Sequence, residues 1–117
     1  HVVFFENYKG VLPILKRNLK SLEKLNNYEI IEKDIYNRST FLNLKKKFNI
    51  IYLDPPFKDK NLNKLLLSIR EEGILDKDGI IIIHRHKNEK VSFDSKFNII
   101  EEKKYGISKI IFLNVLN

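Results

Sequence analysis

The sequence has no cysteine, methionine or tryptophan, and only three histidines, three prolines and four glycines in 117 residues. Without cysteine there is no disulfide framework and no thiolate nucleophile. His1, His84 and His86 are too few for a protein-built zinc site, so no structural or catalytic metal is expected. No apolar run exceeds the four residues of Ile80–Ile83, far short of the roughly 18–20 that span a bilayer, so no membrane partner is expected. The opening His1-Val2-Val3-Phe4-Phe5 has no initiator methionine, basic leader or small-residue cleavage site. It is read as the inside of a fold rather than a signal peptide.

What is present is apolar enough to fold and basic enough to meet a polyanion. Hydrophobic residues make up 43% of the chain, which suits one compact domain and argues against disorder. Lys and Arg number 22 against 15 Asp and Glu, a formal charge of +7. Such a surplus attracts RNA or DNA through counterion release. The excess of Lys over Arg, the many Ile and Asn, and the lack of Ala and Gln are also what A+T-rich coding produces. Charge by itself therefore leaves the partner open.

Along the chain, Val2–Phe5 reads as a strand that ends at Glu6-Asn7. Leu12, Leu15, Leu19 and Leu22 recur at helical spacing, with Pro13 in the first turn and Asn26-Asn27 at the end. Tyr28–Ile31 is a second strand, and Asn37 or Ser39 can cap a helix through Phe41, Leu42 and Leu44 into Lys45-Lys46-Lys47. A third strand, 49–53, stops at Asp54-Pro55-Pro56, because successive prolines cannot continue a ladder. A helix over Leu62, Leu65, Leu66 and Ile69 stops at Gly73, and Ile80–Ile83 reads as a parallel strand covered on both faces. Phe97–Ile100 and Ile107–Leu113 form a hairpin about Tyr105-Gly106. The alternation predicts an α/β sheet, mostly parallel, with a C-terminal antiparallel hairpin. Ligands of such sheets sit at the carboxyl ends of strands, where Glu6, Asp34 and Asp54 each follow one of the first three. No repeat, linker or second domain is evident.

Asp54-Pro55-Pro56-Phe57 is the most specific feature. The prolines stiffen a turn behind a buried strand and bring a carboxylate, the Pro55 carbonyl and an aromatic ring into one small cleft. Acceptors beside a ring suit a planar base bearing an amino group. The lone pair of such an amine is delocalised into the base, and accepting its N–H bonds favours the pyramidal, nucleophilic form. Phe57 stacking on the base is worth about 1–3 kcal/mol. The competing reading is a rigid turn in which Asp54 caps backbone amides and Phe57 fills core.

Residues 50–57 resemble motif IV of the S-adenosylmethionine-dependent amino-methyltransferases. With Phe4-Phe5-Glu6-Asn7, Lys33-Asp34, Gly79–Ile83 and Lys104-Tyr105-Gly106 in order, the chain resembles the RsmD type of bacterial 16S rRNA (guanine-N2)-methyltransferase. The resemblance implies a Rossmann-like class I methyltransferase sheet and methyl transfer from S-adenosyl-L-methionine to N2 of a guanine of the 966 type. It also implies 16S rRNA or the small ribosomal subunit as partner, a cytoplasmic location, and a monomer. Glu6, with Asn7 beside it, then holds the ribose hydroxyls of the cofactor, Asp34 its adenine amino group and Ile35 the ring face. Asp54, Pro55, Pro56 and Phe57 are the catalytic corner, with Asp54 also reaching the cofactor. Phe57 and Tyr105 shape the base pocket.

Two departures accompany the resemblance. His84-Arg85-His86 stands where relatives carry an acid after the fourth strand, and is expected to be a basic loop that reaches RNA phosphate. Relatives also begin with a strand and an Asp-x-x-x-Gly-x-Gly turn for the methionine part of the cofactor, and nothing here matches them. Residues 1–117 are thus read as the C-terminal portion of a single class I methyltransferase domain, its first strand missing, its sheet gapped or re-paired, and its cofactor affinity weak. The alternatives are a DNA adenine-N6 or cytosine-N4 methyltransferase, which shares the Asp-Pro-Pro-aromatic cleft but needs a target-recognition segment not seen here, and a non-catalytic basic RNA-binding module.

Overall fold

Backbone pairing separates the chain into two sheets that belong to two compact units, residues 1–40 and 41–117. The computed structural model describes residues 1–56 and 60–116. Phe57 therefore lies outside the described residues.

The first unit is one strand–helix–strand turn. Strand β1 (Val2–Phe5) pairs in parallel with β2 (Tyr28–Ile31), Val2 opposite Tyr28 and Phe5 opposite Ile31. Helix α1 (Leu12–Leu19) connects them, with Pro13 in its first turn, where a missing N–H costs nothing, and Lys16 and Arg17 at its negative C-terminal end. It tightens into a 3₁₀ segment, Lys20–Leu25, which stops at Asn26 in the left-handed conformation (φ 45°). The Tyr28 hydroxyl donates to the Leu19 carbonyl at 3.1 Å and the Tyr28 ring meets Phe4 edge to face, tying the helix end to the strand pair. Helix α2 (Ser39–Leu42) is a single turn, with the Ser39 N–H donating to Asn37 Oδ1 at 3.1 Å. It ends before Lys45-Lys46-Lys47, so that basic run does not extend it as expected; one turn gives few hydrogen bonds, and although Phe41 is buried, Leu42 is 64% exposed and adds little apolar support.

The second unit is a four-stranded mixed sheet in the order β3-β4-β6-β5, built from β3 (Phe48–Leu53), β4 (Leu75–His86), β5 (Phe97–Tyr105) and β6 (Ser108–Val115). β3 and β4 are parallel and joined through α3 (Leu62–Glu71), whereas β4–β6 and β6–β5 are antiparallel. Gly106 (φ 56°) makes the tight β5–β6 turn that closes the expected C-terminal hairpin. Leu62, Leu65, Leu66 and Ile69 form the buried stripe of α3, and with Leu53, Ile81, Ile83, Ile111 and Leu113 they make the core. The other sheet face is apolar but more open: Ile50 and Tyr52 are 63% and 58% exposed, and Ile80 is 36% exposed. Ile80–Ile83 is thus sealed on one face only, contrary to the two-sided burial expected. β4 is also longer than expected, and its last three residues decide the character of the site.

Candidate functional site

In the first unit, Glu6 and Asp34 follow adjacent parallel strands and so share one edge; Asp54, expected on the same edge, follows a strand of the other sheet. The Glu6 N–H donates to the Ile31 carbonyl at 3.2 Å, holding the two strand ends together. Each carboxylate turns back on its own loop: the Tyr8 N–H donates to Glu6 Oε1 at 3.0 Å, and the Tyr36 N–H to Asp34 Oδ1 at 2.9 Å. These turns hold both side chains in place before any ligand arrives. Asn7 is exposed and Ile35 half-buried beside them. Two anchored acceptors at strand carboxyl ends fit a ligand rich in hydroxyl and amino donors, such as a nucleoside.

In the second unit, Asp54 follows the end of β3, and register places its neighbour Leu53 opposite Ile83 of β4. The next residue, His84, therefore reaches Asp54: His84 Nδ1 lies 3.0 Å from Asp54 Oδ1. The other ring nitrogen, Nε2, lies 2.8 Å from Ser108 Oγ on β6. Ser108 pairs with His86 and His84 with Ile110, so His84 and Ser108 are diagonal neighbours on one sheet face. The Asp54 side chain is 51% exposed while the His84 ring is 22% exposed, so the carboxylate points outward from a partly sheltered support. Tyr52, two residues before Asp54, has its phenol pushed up by burial and then by the Asp54 carboxylate, and stays neutral.

Arg85 points the opposite way and is 1% exposed. Its guanidinium donates to the Pro55 carbonyl at 2.9 Å, the Pro56 carbonyl at 3.2 Å and Glu89 Oε1 at 2.7 Å. Lys109, opposite Arg85 in register and also buried, donates to the Glu89 carbonyl. The diproline turn is thus held from beneath by a buried cation, in addition to its own stiffness. A carbonyl oxygen has two lone pairs, so this contact leaves the Pro55 oxygen one for another donor.

The expected basic loop at 84–86 is corrected by these contacts. All three residues belong to β4, which β6 extends by pairing through His86. Strand alternation then sends Arg85 into the interior and His84 towards Asp54, so Arg85 is no phosphate contact. The sequence points to His84 only as part of a basic loop for RNA phosphate, and does not point to Ser108 or to the internal role of Arg85. The usable signal was the period of two across His84-Arg85-His86. Tyr105, 60% exposed, closes β5 opposite Ser108, at the same end of the sheet as Asp54. Among the described residues no group of three His, Asp or Glu gathers as a metal-ligand set, and no helix is long and apolar enough to cross a membrane.

Residues 1–114 match the family described as Conserved hypothetical protein 95. The chain belongs to this family. Its sequence is 32% identical to "Putative rRNA methyltransferase YlbH" of Bacillus subtilis over 84 residues, 70% of this chain and 45% of that protein. It is 29% identical to an "Uncharacterized methylase" of Rickettsia prowazekii over 77 residues, 65% of this chain and 33% of that one. The chain thus matches less than half the length of either family relative. A crystal structure from Haemophilus influenzae, described as a putative methylase, superposes with a TM-score of 0.76 at 22% identity, covering 98% of this chain and 72% of that one. The family's RsmD-like character and the Rossmann-like methyltransferase fold are therefore those expected from the motifs.

Proposed function

We propose that the protein transfers a methyl group from S-adenosyl-L-methionine to the exocyclic N2 amine of a guanine in 16S rRNA, of the 966 type. The observation that carries the reading is the outward carboxylate of Asp54, fixed at the carboxyl end of β3 beside the diproline turn. Residues 1–117 are then the C-terminal portion of one class I methyltransferase domain. The match to less than half the length of two methylase relatives supports this.

The bound cofactor supplies an electrophilic methyl group on a sulfonium. Glu6, with Asn7 beside it, holds ribose hydroxyls, and Asp34 with Ile35 holds the adenine; their anchored acceptors fit those donors. The sequence carries no Asp-x-x-x-Gly-x-Gly turn for the methionine part; Glu6, Asn7, Asp34 and Ile35 serve the nucleoside side of that site, and Asp54 also reaches the cofactor. Asp54 and the Pro55 carbonyl accept the N–H bonds of the base amine, which localises its lone pair on nitrogen and leaves its positive charge stabilised as it forms. Phe57 stacks on the extruded base and Tyr105 borders it. The +7 charge draws the chain to rRNA. The protein works as a monomer in the cytoplasm on rRNA or on the small subunit.

The test uses the protein as encoded in full, with labelled S-adenosylmethionine and either 16S rRNA, small subunits or duplex DNA, followed by nucleoside analysis. N2-methylguanosine is expected in RNA, and Asp54→Ala should lower turnover by about 100-fold, the usual loss of one electrostatic partner in a transition state. Label in DNA alone, or full activity of Asp54→Ala, refutes the reading.

A further inference from the structure

We infer that His84, braced by Ser108, is a positioning residue that sets the Asp54 carboxylate for the substrate amine; the inference rests on the methyl-transfer reading above. A carboxylate can only accept, so the 3.0 Å contact to Asp54 Oδ1 requires a proton on His84 Nδ1. In the neutral ring Nε2 is then bare, and the Ser108 hydroxyl, 2.8 Å away, donates to it. Both ring nitrogens are thereby engaged, and the imidazole can neither flip nor change tautomer without losing two hydrogen bonds. Asp54 follows a strand end and is half exposed, and without this support its side chain would rotate freely.

The consequence is geometric. With Oδ1 occupied by His84, the carboxylate plane is set and Oδ2 is presented to a donor from the substrate. An acceptor has to meet the amine in one orientation to favour pyramidal nitrogen, and a misplacement of about 1 Å can cost 100-fold in rate. His84 spends both ring nitrogens on Asp54 and Ser108, which leaves neither of them for base or cofactor. It acts through Asp54, as a partner that orients a reacting group acts in a metal site, where its loss costs about 10–100-fold. Arg85 does the complementary job for the backbone by holding the Pro55 and Pro56 carbonyls. Side chain and backbone acceptors of one corner are thus fixed by consecutive residues of β4 that face opposite ways.

Three variants and one spectroscopic measurement test the inference in the protein as encoded in full. Nitrogen-15 NMR of the imidazoles, at a pH where the ring is neutral, should show His84 protonated at Nδ1, with Ser108→Ala moving the population towards the other tautomer. His84→Ala should lower kcat by about 10–100-fold with KM for S-adenosylmethionine and RNA changed less than about twofold. His84→Asn, whose side-chain N–H can replace Nδ1–H, should recover most of that loss, which a merely packing role would not predict. A ring protonated at Nε2 alone, an undiminished kcat in His84→Ala, or no recovery in His84→Asn when its fold matches wild type, overturns the positioning role. Wild-type protein that methylates no RNA refutes the underlying reading instead, and the amine-directed role falls with it.

Discussion

Replacing Arg85 with methionine removes the guanidinium while keeping an unbranched apolar stem, so packing is largely retained and the loss is electrostatic. The side chain is 2% exposed and its partner Glu89 24%, so water cannot compensate either of them fully. The substitution strips Glu89 of its counter-charge and leaves the Pro55 and Pro56 carbonyls without their donor. Breaking a buried pair from one side costs about 3–5 kcal/mol. Two hydrogen bonds from a charged donor, at about 1.5–3 kcal/mol each, give a similar figure by a separate route. The two estimates overlap in what they count, so the expected loss is about 3–5 kcal/mol rather than their sum. With a urea slope of about 1–3 kcal/mol/M, the unfolding midpoint should fall by roughly 2 M at unchanged slope. Adding Glu89→Gln should return at least about 1 kcal/mol, because the stranded carboxylate is then gone. A single-variant loss below about 1 kcal/mol, or a double variant that is simply additive, would refute the claim that this cation holds the corner.

The other substitutions probe neighbouring links of the argument. Leu66 is fully buried in the α3 stripe, and Leu66→Ala should cost about 2–5 kcal/mol in the same urea titration, since the cavity it leaves collapses only partly. At Gly79 an added Cβ would lie 2.5 Å from Leu75 Cδ1 and 2.9 Å from the Asp76 carbonyl; Gly79→Ala should destabilise by about 1–3 kcal/mol, read as a lower thermal midpoint. Asp54→Ala should fold as wild type by circular dichroism yet lose methyl transfer, separating the corner's chemistry from its stability. His84→Ala and His84→Asn should divide as described above, in kcat rather than KM.

Much of the fold was legible because its elements carry strong local signals. The four-residue apolar runs before Glu6 and the Leu12–Leu22 spacing yielded β1 and α1, and Gly73 and Gly106 marked a helix end and a hairpin. The candidate site was legible as far as the turn Asp54-Pro55-Pro56, whose stiffness is covalent. Its supports were not. β4 runs to His86 because β6 pairs with it there, and polar residues at a strand end look like loop until that partner is known. Asp54 and His84 are 30 residues apart in sequence, and His84 and Ser108 are 24 apart, so no window of sequence contains the contact.

Apart from the length of β4 and of α2, sequence alone determined where the chain is extended, where it coils and where it must turn, since those choices follow from side-chain periodicity and from the backbone limits of proline and glycine. It also determined that an acid ends β3 beside two prolines. Tertiary structure alone decided which way that acid points and what steadies it. Strand order and register bring His84 and Ser108 to one face and turn Arg85 to the other, and a one-residue slip of β4 would exchange them.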